Sequence, residues 1–125
     1  MSSAFCGIIY TYNMGKLRKS WQTQFRKQEQ FSPRNKKEEF LIEALTKVKD
    51  KNEMAALLRD LMTLPEIEEF SNRLEIAKLL LKGKSYQKIA DEIGVSTSTV
   101  TRVAHWLFSG CGGYQKVFKK LLKIT

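Results

Sequence analysis

The run from Ser85 to Val103 constrains the fold more strongly than any other part of the chain. Ser85 and Ser96 are each placed to cap a short helix, and Gly94 between them allows the positive φ of a sharp turn. Ala90 is small enough for two helices to approach closely at that point. Four apolar residues have the spacing of the inner faces of the two helices: Ile89, Ile93, Val100 and Val103. The run therefore predicts a helix-turn-helix from about Ser85 to Leu107.

The outward face of the second helix is rich in hydroxyl groups and contains no acid. Its members are Thr97, Ser98, Thr99, Thr101, Arg102 and His105. Small hydroxyl side chains allow close approach to the major groove, and an arginine can contact guanine or clamp a phosphate. Ser96 at the helix start, with Lys84, Gln87 and Lys88 around the first helix, is placed to contact the DNA backbone. We therefore predict DNA binding; the alternative is a helical hairpin with a polar face.

Four further helices are predicted around this motif, which makes the chain all-α. Apolar residues at three- and four-residue spacing indicate helices through Phe40–Val48 and Met54–Met62. Asn52 is expected to cap the second of these helices. A third helix is expected after the cap residue Thr63, with Pro65 in its first turn and Gly83 at its end. Its predicted core face comprises Phe70, Leu74, Ala77, Leu80 and Leu81. A last amphipathic helix is expected from Tyr114 to Ile124.

The positive charge is concentrated at the N-terminus. Residues 1–37 contain eight basic side chains and one acidic one, a formal +7, whereas residues 38–125 contain 14 basic and 12 acidic residues, a formal +2. We interpret 1–37 as a basic N-terminal arm, either a solvated and partly disordered tail or a non-specific phosphate-binding segment, and 38–125 as the helical domain. Met14 is an alternative start, because the basic pattern begins directly after it.

Several functional classes have little support in the composition. An enzyme is not expected from a chain with one histidine, no glycine-rich phosphate loop and no clustered carboxylates. Cys6 and Cys111 lack companion ligands, so neither a disulfide nor a metal site is expected, and no cofactor is implied. No apolar stretch is long enough to span a membrane, so a cytoplasmic protein is expected.

The sequence resembles the Trp repressor superfamily over about residues 38–122. The resemblance lies in Leu64-Pro65-Glu66, in the run from Arg73 to Gly83, and in Ser98-Thr99-Val100-Thr101-Arg102. Gly112-Gly113-Tyr114 is similar to a motif of the Trp repressor-related branch, the YerC/YecD-type proteins of bacteria. The turn of the helix-turn-helix is one residue shorter than in the Trp repressor itself.

This resemblance implies a six-helix subunit that interlocks with a second copy, and regulation of transcription at a palindromic operator. In the Trp repressor two arginines sandwich the indole of bound tryptophan, and Arg73 and Arg102 fall at those positions. The glycine after the second arginine is Val103 here, and a pocket serine corresponds to Trp106. We expect these larger side chains to fill the cavity, so no tryptophan response and no small-molecule corepressor are expected.

The favoured function is therefore a homodimeric, sequence-specific transcriptional regulator, with repression as the favoured output. The basic arm supports an alternative, a non-specific DNA- or RNA-binding protein of the nucleoid or of replication. A protein–protein adaptor that uses only the amphipathic helices is a further alternative.

Overall fold

The computed structural model describes residues 29–122. Over this range the chain forms six α-helices and no strand. The helices are α1 (Lys36–Thr46), α2 (Lys51–Leu61), α3 (Leu64–Leu81), α4 (Tyr86–Ile93), α5 (Thr97–Ser109) and α6 (Gly113–Leu121). The predicted all-α class and the number of helices are confirmed.

The described residues fall into two compact units. The first comprises residues 31–72, which include α1, α2 and the start of α3. The second comprises residues 29–30 and 73–122 and contains the rest of α3 together with α4, α5 and α6. Helix α1 begins two residues before the predicted domain boundary at residue 38. Residues 1–28 of the predicted basic arm lie outside the described range.

In the first unit, α1 and α2 begin at side-chain caps. The Asn35 Oδ1 atom accepts a hydrogen bond of 3.0 Å from the Glu38 backbone N–H. At α2 the predicted cap, Asn52, is wrong: Asp50 Oδ1 accepts from the Glu53 N–H at 2.8 Å. Glu53 in turn accepts a 2.9 Å bond from the Lys49 N–H. This reciprocal pair satisfies two backbone donors at the helix start, and Asn52 lies within the first turn instead.

Thr63 caps the start of α3, as predicted. The Thr63 Oγ1 atom accepts from the Glu66 N–H at 3.3 Å, and the Glu66 carboxylate accepts from the Thr63 N–H at 2.8 Å. These donors hold the pKa of Glu66 below its usual value. Beyond the C-terminal end of the helix, Gly83 has a φ of 85°. The positive φ suits glycine, so this residue ends the helix as predicted.

None of the residues of α1 and α2 is buried within a single chain. Large apolar side chains are exposed along the whole unit: Phe31, Phe40, Leu41, Ile42, Leu61, Leu64 and Phe70. The predicted core positions Phe70 and Leu74 of α3 are about half exposed, so their predicted burial is not found in one chain. The apolar periodicity correctly marks the face of each helix, but no other part of residues 29–122 buries it.

The second unit contains the buried core. The core is built from the end of α3 together with α4, α5 and α6. Its members are Ile76, Ala77, Leu79, Leu80, Leu81, Ile89, Ala90, Val100, Val103, Ala104, Leu107 and Phe118. The Gly110 carbonyl, at the end of α5, also accepts a 2.9 Å hydrogen bond from the Glu29 N–H. This core holds the helix-turn-helix on α3 and α6.

Candidate nucleic-acid interface

Helices α4 and α5 form the predicted helix-turn-helix. Gly94 ends α4 with a φ of 83°, and both its N–H and that of Val95 donate to the Ala90 carbonyl, at 2.8 and 3.0 Å. Ser85 and Ser96 cap α4 and α5 by accepting from the backbone N–H three residues on, each at 3.2 Å. The predicted turn glycine and both predicted serine caps are confirmed.

Buried side chains fix the orientation of the second helix. Ile89 and Val100 are fully buried, and Ala90 and Val103 are nearly so. The small Ala90 side chain lies in the core between the two helices, where a larger group would require them to separate. Because α5 packs through Val100, Val103 and Leu107, its opposite face is held outward on a rigid element.

The outward face of α5 has the predicted composition. Thr97, Ser98, Thr101, Arg102 and His105 are exposed. Thr101 donates from its hydroxyl to the Thr97 carbonyl at 2.9 Å. Thr99 is only partly buried, and its hydroxyl lies 3.1 Å from that of Ser96 at the helix start. Arg102 is the only lysine or arginine of α5. The hydroxyl groups of Thr97 and Ser98 lie on the same helix and are exposed as well.

The predicted backbone-contacting side chains lie at the start of α4. Gln87 and Lys88 are exposed, and Lys84 is partly exposed immediately before the helix. The Lys84 ammonium lies 2.9 and 3.0 Å from the two carboxylate oxygens of Glu92. The Gln87 amide donates to Asp91 at 2.9 Å. Two of the three side chains are therefore held by acidic partners near the end of α4.

The charge of the second unit suits a polyanion. Residues 73–122 contain nine basic and three acidic side chains, and no acidic residue follows Glu92 anywhere in the chain. A net positive surface attracts nucleic acid through its phosphates, whatever the base sequence. By contrast, residues 31–72 contain seven basic and nine acidic residues. The positive charge of the described residues thus lies in the unit that contains the helix-turn-helix.

A cavity of about 850 Å³ lies in the second unit, beside α5. It is open to solvent and mostly apolar, with Arg73 and Arg102 both in its lining. We expected Val103 and Trp106 to fill such a cavity; instead both line it. Val103 points into the core, and the Trp106 side chain is 43% exposed, so neither closes the space. The two arginines are brought together as the resemblance implied, but the cavity between their helices remains open.

Four lining residues that follow α5 in the chain were not predicted from the sequence: Cys111, Gly113, Tyr114 and Val117. Their sequence signals are their position after α5 and, for Gly113 and Tyr114, the Gly112-Gly113-Tyr114 motif. Burial raises the pKa of Tyr114, and the nearby Arg73 charge acts in the opposite direction. Gly110 is confined by Trp106: a Cβ there would lie 2.3 Å from the Trp106 carbonyl oxygen. Glycine at this position lets the chain turn tightly over Trp106.

Residues 29–122 contain neither a cluster of metal ligands nor a helix that could cross a membrane. No three His, Cys, Asp or Glu side chains of this range are grouped so that they could hold a metal ion. Cys111 is a free, exposed thiol, whereas Cys6 lies outside the described residues. No helix in the same range is long and apolar enough to cross a membrane.

Comparisons with known proteins agree with this geometry. The Trp repressor protein family matches residues 36–122. An uncharacterized protein of Bacillus subtilis (strain 168), YerC, is 34% identical over 88 residues, which are 70% of this chain and 85% of that protein. The crystal structure of a TrpR-like protein from Eubacterium eligens ATCC 27750 superposes with a TM-score of 0.66 at 36% identity, over 70% of this chain and 90% of that one.

The matched range covers all six helices and includes the helix-turn-helix and the cavity. It begins two residues before the range of the sequence resemblance, 38–122. The YerC relative also confirms the predicted branch. The chain therefore belongs to the Trp repressor family, in its YerC-type branch.

Proposed function

We propose that this protein is a sequence-specific, DNA-binding transcriptional regulator that acts as a homodimer, with repression as its favoured output. The observation that carries the proposal is the outward face of α5. It presents Thr97, Ser98 and Arg102 on a helix whose other face is fixed in the core. Hydroxyls and a guanidinium on a rigid helix are suited to hydrogen-bond base edges in the major groove.

Around this helix, contacts to phosphates would supply much of the affinity. Lys84, Gln87 and Lys88 at the start of α4 are placed for the DNA backbone, as the first helix of such a motif requires. Ser96, Thr99, Thr101 and His105 complete the proposed interface. The basic residues of the N-terminal arm would add phosphate contacts that do not depend on the base sequence.

The homodimer is proposed from the apolar surface of residues 31–72. Two helices without a buried residue, α1 and α2, cannot be stable alone in water, because their apolar faces remain hydrated. A second copy of the chain would cover Phe40, Leu41 and the neighbouring apolar residues. In such a dimer we expect the two copies of α5 to read half-sites about one turn of DNA apart, roughly 34 Å.

We further propose that DNA binding does not depend on tryptophan. The Trp106 indole already contributes an aromatic wall to the cavity that contains Arg73 and Arg102. The cavity volume is within the range of small-molecule sites, so the claim needs a direct test. Titration calorimetry with tryptophan should give no binding heat, and micromolar affinity would contradict the proposal.

Competition between duplex DNA and RNA tests one part of the proposed function, the preference for double-stranded DNA. Wild-type protein is bound to a labelled random-sequence duplex at about 150 mM salt and challenged with unlabelled duplex DNA or with single-stranded RNA of the same sequence. We expect the duplex to compete at least tenfold better. The Thr97→Ala/Arg102→Ala double variant should bind more weakly and fold normally.

The alternative function gives a different result in the same experiment. A non-specific nucleic-acid-binding protein, which the basic arm favours, would bind RNA and DNA alike and would be little affected by changes on α5. Equal competition by RNA, together with a Thr97→Ala/Arg102→Ala variant that binds as well as wild type, would contradict our proposal. It would favour the non-specific nucleic-acid-binding function instead.

A further inference from the structure

The two acidic residues of the helix-turn-helix both contact side chains that we assign to the DNA backbone. Glu92 accepts from the Lys84 ammonium through both carboxylate oxygens, at 2.9 and 3.0 Å. Asp91 accepts from the Gln87 amide at 2.9 Å. Asp91 and Glu92 are also the only acidic residues from Ser85 to the C-terminus. Each of the two carboxylates thus occupies a group that would otherwise be available to a phosphate.

These contacts are at the surface and are easily exchanged. The Lys84 and Glu92 side chains are 38% and 51% exposed, and an ion pair of this kind contributes little to folding stability. A DNA phosphate approaching Lys84 meets a cation whose charge is already partly neutralised. It also meets the Glu92 carboxylate, which has the same sign of charge and repels it.

We infer that Asp91 and Glu92 are affinity-limiting residues, which compete with DNA phosphates for Gln87 and Lys84. The competition lowers the phosphate part of the binding energy for every DNA sequence. Occupancy of a site then depends more on the base contacts of α5, because phosphate contacts alone are too weak to hold the protein on DNA. The inference rests on the proposed DNA-binding function and adds to it a restraint on non-specific binding.

The opposite role for Glu92 is also physically possible and predicts the opposite sign. A carboxylate could hold Lys84 in the orientation that a phosphate requires, as a positioning residue. Removing it would then weaken DNA binding, because the lysine would lose an ordered geometry. Glu92→Gln, which keeps the shape of the side chain and removes its charge, separates the two roles.

The experiment measures the DNA affinity of Glu92→Gln and Asp91→Asn by fluorescence anisotropy over a range of salt concentrations. One probe is a random-sequence duplex, and the other is a preferred duplex that the wild type selects from a random pool. We expect Glu92→Gln to bind both duplexes roughly two- to fivefold more tightly. Its plot of log affinity against log salt should be steeper by up to about 0.9, the value for one additional phosphate contact. Asp91→Asn should change affinity in the same direction, but less, because Gln87 is uncharged.

Two controls test the cause. Glu75→Gln makes the same change of charge in the ion pair between Glu75 and Lys78 on α3, whose atoms are 3.0 Å apart, outside the helix-turn-helix. It should change the affinity by less than Glu92→Gln does. In the Lys84→Ala background, Glu92→Gln should not steepen the dependence of log affinity on log salt. The lysine that the glutamate substitution would release is absent there.

Weaker binding by Glu92→Gln would overturn the inference and assign Glu92 the positioning role. Unchanged affinity and salt dependence in Glu92→Gln and Asp91→Asn, beside a wild type that binds DNA, would overturn it as well but leave the proposed function intact. A folded wild type that binds no duplex even at about 50 mM salt would contradict the proposed function, and the inference with it.

Discussion

Arg102 is the residue in which the two sites of this protein meet. It is exposed on the outward face of α5, and it also lines the cavity beside that helix. Its guanidinium could therefore hydrogen-bond a base, clamp a phosphate or contact a molecule in the cavity. Helix α5 and the cavity share this side chain, so its substitution is the most informative change at the residue scale.

We expect Arg102→Ala to weaken binding to a preferred duplex by about 1–3 kcal/mol if the side chain contacts a base. Binding to random DNA should change less, and the preference at one base position should relax. Titrations with the preferred duplex and with single-base variants of it measure both effects. Arg73→Ala is the matched control, because it removes the other cavity arginine from α3. An equal loss in the two variants would assign the effect to the cavity.

The contacts of exposed side chains were the part of the site that sequence could not provide. Ser85 and Ser96 could be predicted as caps from the local sequence, because a cap side chain accepts a hydrogen bond from the backbone N–H three residues on. Glu92 reaches Lys84 from eight residues away, across the whole of α4. No periodicity marks such a pair, because the conformation of a long exposed side chain depends on its surroundings.

At the scale of the helices, the turns on either side of α5 place different demands on glycine. Gly94 has a φ of 83°, whereas a Cβ added there would meet nothing within 4 Å. Gly110 has an ordinary negative φ, but a Cβ would collide with the Trp106 carbonyl. Gly113, at the start of α6, has neither restriction. The three positions therefore separate backbone strain from steric overlap.

We expect Gly94→Ala to lower the free energy of unfolding by about 1–2 kcal/mol, the cost of a left-handed backbone for an L-residue. Gly110→Ala should lower it by about 1–3 kcal/mol, because the backbone must move away from Trp106. Gly113→Ala, the control, should be neutral or slightly stabilising, since alanine reduces the entropy of the unfolded chain. Chemical denaturation measures all three; destabilisation by Gly113→Ala as large as by Gly94→Ala would contradict this account of the turns.

The helices themselves were predictable where the signal is local and less so where burial decides. The helix-turn-helix and the start of α3 followed from the spacing of small, apolar and capping residues. The α2 cap was misplaced because Asp50 and Asn52 both suit that role, and only the Glu53 contact distinguishes them. The cavity was also misjudged, because residues of α3, α5 and α6 enclose it and no one segment reveals its volume.

At the scale of the whole molecule, the exposed apolar surface of α1 and α2 is the feature that most needs an explanation. The Phe40 side chain is 70% exposed in a single chain, and Leu41 and Ile42 beside it are also exposed. Periodicity alone could identify this face but could not tell a core from an interface. A second copy of the chain is the partner that we propose for it.

We expect the wild type to be a dimer at micromolar concentration by analytical ultracentrifugation. Phe40→Ser should shift the equilibrium towards monomer and lower the midpoint of thermal unfolding at a given protein concentration. The neighbouring Glu39→Ser, exposed on the same helix, should leave both unchanged. A wild type that sediments as a monomer would contradict the proposed dimer.

The N-terminal arm gives a second prediction at this scale. Residues 1–28 contain five basic and no acidic residues, and a truncation there leaves the Asn35 cap of α1 intact. The truncated protein should bind all duplexes more weakly by a similar factor, with a flatter dependence of log affinity on log salt. Loss of sequence preference in the truncated protein would show instead that the arm takes part in specific recognition.

Selection of bound DNA from a random duplex pool at about 150 mM salt, followed by sequencing, tests the central claim most directly. The account predicts a recovered motif with two-fold symmetry and half-sites about one helical turn apart, because two copies of α5 would enter successive major grooves. A pool that remains random after repeated rounds, from protein that binds DNA at low salt, would contradict sequence-specific regulation.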